Sequence, residues 1–278
     1  MLSALNVRGN LQAFGELTAL LTRQRRLTFE LAKREVSEKY TGQLFGTLWT
    51  LGHPLALMLV YVFVFGFVFK ARVGDSLDMP LNYTSYLLAG LIPWLAFQES
   101  MSKSSTVVIA NANLVKQVIF PIEILPVKGV LATLATQTIF LALLIAYNLA
   151  TYHKLSWTYL LLPLLFLVQT LAMIGTSYLL ASIGVFFRDV KDIVQVFCSV
   201  SFFLLPMLYL PESIPRAVRP ILYMNPFSYM IWCYQDLLYF GRFVHPWAWA
   251  AFVGMSLFIF VLGYRVFRKL KVMFGNVL

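Results

Sequence analysis

The residues of this chain best able to do chemistry are few and scattered. Cys198 and Cys233 stand alone, without the paired spacing of a metal site. His53, His153 and His245 are far apart. No Gly-Lys dipeptide occurs, so the loop that would cradle a nucleotide phosphate is absent. Carboxylates, which build proton and ion relays in membranes, are missing from the interiors of the long apolar runs, with Glu99 near the end of one. The densest charged group is GVFFRDVKDIVQ, residues 184–195, which places Arg188, Asp189, Lys191 and Asp192 within five positions. Residues 155–187 before it and 193–211 after it hold no Asp, Glu, Lys or Arg. The chemistry open to such an island is ion pairing and hydrogen bonding, not catalysis.

The elements around the island explain its position. Apolar residues make up 60% of the chain and charged residues 12%, with a mean hydropathy of +0.76, against about 25% charged residues in soluble domains. The apolar runs reach the roughly 20 residues needed to cross a bilayer. An all-α integral membrane protein is expected, with six spans at about 52–69, 83–102, 126–150, 158–186, 193–210 and 246–264. Residues 1–51 form a cytoplasmic segment ahead of the membrane domain, 52–278. No signal-peptide pattern opens the chain. With six spans and both termini inside, the inner segments carry 16 Lys and Arg and the outer segments 6, as the positive-inside bias requires.

Residues 221–240 have the length of a seventh span, but Pro226 interrupts them. A complete crossing there would place Arg265, Arg268, Lys269 and Lys271 outside. Residues 212–240 are therefore expected to enter from the outer face and return as two half-helices, buried in protein or facing water. The island then lies on the cytoplasmic side between spans four and five. Each of its charges would cost about 2.5–3.5 kcal/mol at mid-bilayer, so it must turn in water. Asp189 is positioned to cap the next helix, and Arg188 and Asp192 are spaced to pair on a helix surface. A structured elbow is expected.

A second elbow, residues 103–128, joins spans two and three. Asn111 and Asn113 are capping types, LVKQVIF reads as a short amphipathic helix, and Pro121 and Pro126 reset the chain. Near the N-terminus, residues 11–31 place Leu11, Phe14, Leu17, Leu20, Leu21, Leu27 and Leu31 near one helical face, with Arg23, Arg25 and Arg26 mainly elsewhere. That pattern suits an amphipathic helix lying in the interface, its basic residues at lipid phosphates. Membrane lipid and inner loops account for the net charge of +10 without nucleic acid.

The stretch AKREVSEKYTGQLFGTLWTLGHPL, residues 32–55, resembles the N-terminal signature of type-2 ABC-exporter membrane subunits. Lys39, Tyr40, Gly42, Leu44, Gly46, Trp49 and Pro54 fill its places, although Phe45 separates the usual Leu-Gly pair. The segments LVKQVIFPIEILPV, FFRDV and NPFSY are similar to features of the same family. The resemblance covers nearly the whole chain and is closest to exporters of capsular polysaccharide and O-antigen. In one place the chain departs: many relatives carry Glu and Arg seven and ten positions after the Asn of NP, where this chain has Trp232 and Gln235.

The resemblance implies a homodimer in the bacterial inner membrane, with a translocation channel between subunits and two separate ABC ATPase subunits beneath it. ATP and Mg would belong to those ATPases, leaving this chain without a cofactor or an enzymatic activity of its own. It also implies coupling elements at about 113–120 and 187–193, which point to Asn113, Leu114, Lys116, Gln117, Arg188, Asp189 and Lys191 as docking residues. Aromatic residues are 16% of the chain; Tyr61, Phe65, Phe202 and Phe203 are the candidates to face an outgoing lipid-linked glycan. Other type-2 cargoes (teichoic acid, a lipid or a drug) form the alternative. A polyprenol-processing enzyme would need clustered Asp, His or Arg at the interface, and the sequence has no such cluster.

Overall fold

The computed structural model describes residues 22–39, 46–64, 81–117, 121–209 and 219–277, with single positions at 15, 19 and 42. Its elements are α1 (Arg25–Glu38), a 3-10 turn (Gly46–Leu48), α2 (Trp49–Tyr61), α3 (Tyr83–Ser104), α4 (Val107–Ala110), α5 (Ala112–Gln117) and α6 (Ile124–Tyr152). A second 3-10 turn (Trp157–Leu161) leads into α7 (Leu162–Phe186), α8 (Val190–Phe203), α9 (Arg219–Met224) and α10 (Pro226–Gln235). A wider π turn (Asp236–Phe240) precedes α11 (Pro246–Val277). No strand occurs among the described residues.

Among the described residues, three helical stretches are long and apolar enough to cross a membrane: Ile124–Tyr152, Trp157–Phe186 and Pro246–Gly275. The 22-residue α3 covers the expected second run and starts at Asn82, whose side chain accepts from the Ser85 amide. The helix of the expected first run is α2, which continues as a wider turn to Val64; Phe65 and the rest of that run lie outside the described residues. Two boundaries differ from expectation. Helix α8 stops at Phe203, not near 210, because Leu205 precedes Pro206 and the residue before a proline is pushed out of the helical region. Helix α11 continues past 264 to Val277, since no proline follows Pro246 and the basic residues after 264 are good helix formers.

The N-terminal helix also differs. Leu11, Phe14, Leu17, Leu20 and Leu21 lie outside the described residues. The described helix is α1, which runs beyond 31, buries Thr28 and Ala32 and packs on α6. Its fully buried side chains are small, Leu31 and Val36 are half-buried, and Leu27 and Phe29 face outward.

The packing centres on α3, α7 and α11. The most extensive contact is between α7 and α11, and glycine makes it possible. A Cβ on Gly263 would lie 2.0 Å from the Gly175 carbonyl oxygen, and one on Gly175 would lie 2.5 Å from the Ile259 backbone. Small residues allow such backbone approach where helices associate by close packing. Polar groups inside the bundle bond to one another: Gln137 Nε2 donates to Gln169 Oε1 at 2.8 Å, Gln169 Nε2 donates to Gln137 Oε1 at 3.0 Å, and the Tyr234 hydroxyl donates to Gln169. The break expected at Pro226 separates α9 from α10, with Asn225 accepting from the Phe227 amide. Helix α10 packs against α3 and α11 and is almost wholly buried after Tyr229.

Candidate functional site

The two elbows lie against each other. The first begins where α3 ends, at Ser104 and Ser105; the second begins where α7 ends, at Phe186. Gly184, in the last turn of α7, sits so near Ser105 that a Cβ there would be 2.0 Å from the Ser105 carbonyl oxygen. Helix α4 continues this contact along α7. The starts of the two elbows therefore meet backbone to backbone.

The seven coupling candidates collect at this end of the bundle. Asn113, Leu114 and Lys116 are exposed on α5, which also contains Gln117. Arg188 and Asp189 are exposed in the turn between α7 and α8, and Lys191 is exposed in the first turn of α8. Two local expectations are corrected. Asp189 occupies the N-cap position of α8 but makes no capping bond; its backbone is already helical (φ −69°, ψ −12°), whereas a capping residue normally has extended geometry. Arg188 and Asp192 form no ion pair among the described residues, because Arg188 precedes the helix and the four-residue spacing of a helix surface does not apply. Asn111 turns backwards, donating to the Val107 carbonyl at 2.7 Å, and so closes α4.

Beneath the elbows lies a set of ion pairs that the sequence did not reveal. Glu99 meets Lys39 and Lys103, each at 3.1 Å, and Glu35 meets Lys103 at 3.5 Å and Lys128 at 3.7 Å. These pairs connect α1, α3 and α6. Glu123 pairs with Lys271 of α11, and its carbonyl accepts from the buried Tyr178 hydroxyl at 2.8 Å. Only Glu99 and Lys103, four apart on one helix, had a signal in the sequence.

The candidate path residues lie on separate supports. Tyr61 is half-buried on α2, which rests on α6; α8 rests on α3 and α7. Phe202 is half-buried and Phe203 is 62% exposed, their rings meeting edge-on at 5.2 Å. Phe203 continues an exposed apolar face of α8 that includes Ile193, Val196, Phe197 and Val200.

The opposite end is aromatic. Asp236 is 0% exposed, and its carboxylate accepts from the His245 amide at 3.0 Å and Trp249 Nε1 at 3.1 Å and meets His245 Nδ1 at 2.9 Å. His245 stacks on Trp232 with 18° between the rings, and Trp247 meets Trp232 edge-on at 4.9 Å. Gln235 Nε2 donates to the Pro206 carbonyl at 3.0 Å. The two positions that depart from the resembled pattern are thus filled by an aromatic stack and a buried amide. From the sequence, His245 stands as one of three scattered histidines and Asp236 has no role. Their signal was a single acid in an apolar run with a histidine shortly after it.

The chain matches the family model described as ABC-2 type transporter over residues 26–239. It is 30% identical to the O-antigen export system permease protein RfbA of Myxococcus xanthus over 224 residues, covering 80% of this chain and 84% of that protein. It is 28% identical over 253 residues to the protein of the same name from Klebsiella pneumoniae, covering 89% and 93%. The polysialic acid transport protein KpsM of Escherichia coli is 23% identical over 237 residues, covering 84% and 90%. With the family model spanning most of the helical bundle and both elbows, this chain belongs to the ABC-2 type transporter membrane family.

Proposed function

We propose that this chain is the channel-forming membrane subunit of an ATP-driven exporter that moves a lipid-linked polysaccharide across the bacterial inner membrane. The observation that carries this reading is the pair of exposed elbows locked together at Gly184 and Ser105, in a chain similar to O-antigen and polysialic acid transport proteins. In this reading the charged end is cytoplasmic and both termini are inside. An ABC ATPase, carrying ATP and Mg, docks on Asn113, Leu114, Lys116, Gln117, Arg188, Asp189 and Lys191. Two such ATPases serve a homodimer of this chain. The exposed apolar face of α8 supports the dimer, since a membrane subunit leaves such a face for lipid, a second copy or cargo. Six crossings are completed by α2, α3 and α8 beside the three longest helices, and residues 212–240 return to the outer face without crossing. The proline break after the largely exposed α9 and the burial of α10 support that return.

The test has two arms. Single cysteines near 213 and 243 should both react with an impermeant reagent added from outside; labelling of either only from the cytoplasm rejects the six-span arrangement. Replacing Arg188 and Asp189 together by Ala should leave the protein inserted but lower ATPase copurification or surface polymer. Normal values of both would reduce the island to a solvated turn.

A further inference from the structure

A cavity of about 80 Å³ opens at the aromatic end, between the segment after α8, the two half-helices and the start of α11. Its walls include Pro206, Tyr209, Arg219, Tyr223, Trp232 and His245. The space would hold roughly six waters. It therefore admits one edge of a ring-sized ligand, with the rest of the ligand outside.

The polar groups around it are not equally available. The Pro206 carbonyl already accepts from the Tyr86 hydroxyl at 2.9 Å and from Gln235 Nε2 at 3.0 Å, and Arg219 already has a partner. His245 is different. The enclosed Asp236 carboxylate meets its Nδ1 at 2.9 Å, and an ionised carboxylate only accepts, so Nδ1 carries the proton. The second nitrogen of the neutral ring, Nε2, is then an acceptor. It has no hydrogen-bond partner among the described residues. Stacking on Trp232 and the bond from the His245 amide to Asp236 hold the ring in place. An oriented acceptor with a buried carboxylate behind it disfavours an anion and suits a neutral O–H donor.

Beside this acceptor the walls are aromatic. Trp232 is buried, whereas Tyr223 is half exposed, and its hydroxyl has no partner among the described residues. The Tyr223 ring leans on Trp232 and Trp247 at 42° and 40°. An apolar wall with a few placed polar groups is the usual make-up of a ligand site. This pairing is complementary to a sugar: ring C–H groups pack on the aromatic face, and a hydroxyl at the ring edge donates to the nitrogen.

We propose that this cavity binds one sugar residue, with a ring hydroxyl donating to His245 Nε2 and the C–H face resting on Tyr223. The inference rests on the polysaccharide reading above for the source of the sugar. A residue of the passing polymer and a free saccharide offer the same chemistry, and the test separates them.

The full chain in nanodiscs is probed by saturation-transfer NMR with methyl glycosides of glucose, galactose, mannose, rhamnose and N-acetylglucosamine. Glycerol serves as the control that bears hydroxyls without a ring face. At least one glycoside should receive saturation, and glycerol should not. His245→Asn keeps an amide donor for Asp236 in the place of Nδ1 but removes Nε2. It should cut the signal about fivefold or more, the worth of one hydrogen bond. Tyr223→Ala should do the same, and it decides the matter if the histidine variant does not fold, because this ring is half exposed. Trp157→Ala, at an exposed ring outside the cavity, should leave the signal unchanged. Loss of surface polymer in both cavity variants, with normal ATPase copurification, assigns the site to the passing polymer. Normal polymer with lost binding assigns it to a free saccharide. No signal from any glycoside, an equal signal from glycerol, or an undiminished signal in both cavity variants overturns the proposal. None of those results touches the labelling and copurification arms above, so the exporter reading and this site fail separately.

Discussion

The two ends of this bundle hold their polar groups in opposite ways. At the aromatic end one carboxylate, Asp236, is fully enclosed and fixed by two donors on His245 and Trp249 and by the His245 ring. At the charged end Glu35, Glu99, Lys39 and Lys103 remain about a quarter to a third exposed and share partners, and the elbow charges beyond them face outward. A buried charge tolerates no change of partner because an uncompensated one is costly. Partly exposed charges can exchange partners at little cost, since surface pairs contribute only about 0–1 kcal/mol. The contrast places fixed pairing at the aromatic end and exchangeable pairing at the charged end.

The largest expected effect is at the aromatic end. Asp236→Ala leaves the His245 and Trp249 donors without their acceptor and should cost about 3 kcal/mol or more, since each enclosed polar group left unsatisfied costs about 1–3 kcal/mol. Thermal unfolding in detergent should show a strong fall in Tm, with a smaller fall for Asp236→Asn, which retains an acceptor. Equal and minor effects of both would remove the contrast between the ends.

A smaller effect is expected where the elbows meet. Gly184→Ala places a methyl group 2.0 Å from the Ser105 oxygen, and backbone must move to admit it. Overpacking of this kind costs about 1–3 kcal/mol. Because the displaced atoms belong to the elbow, polymer export should fall further than the Tm shift alone would explain. Export that simply tracks the amount of folded protein would show that Gly184 serves packing only.

The smallest change in stability separates the two rings at the end of α8. Phe203→Ala, at a ring 62% exposed, should leave Tm within about 0.5 kcal/mol of stability, as surface substitutions do. It should nonetheless reduce surface polymer if that face meets cargo or a second copy. Phe202→Ala should show the reverse weighting, losing stability in preference to export. Matching profiles for both would confine the pair to packing.

Much of the secondary structure was legible in the sequence, for reasons that are local. Long uncharged runs announce helices because backbone groups in an apolar medium must bond within their own segment, and the helices over 124–152, 157–186 and 246–275 follow those runs. The break at Asn225–Pro226 was legible because proline lacks the amide donor. The same rule at Pro206 went unused, and the end of α8 was placed too late. The Asp189 cap failed because capping depends on the backbone angles of the turn and not on residue type alone.

Composition and charge spacing by themselves determined that this is a helical membrane protein with exposed elbows. Those are properties of a segment and its solvent, and a segment carries them in its own residues. Only the tertiary structure decided that Gly184 rests on Ser105, that Gly263 meets Gly175, that Glu35 and Glu99 share lysines from three segments, and that Asp236 closes on His245. Each of these depends on how closely two backbones approach, which is set by the packing of the whole bundle. Helices of the same composition could meet at other faces, so neither partner carries the contact alone.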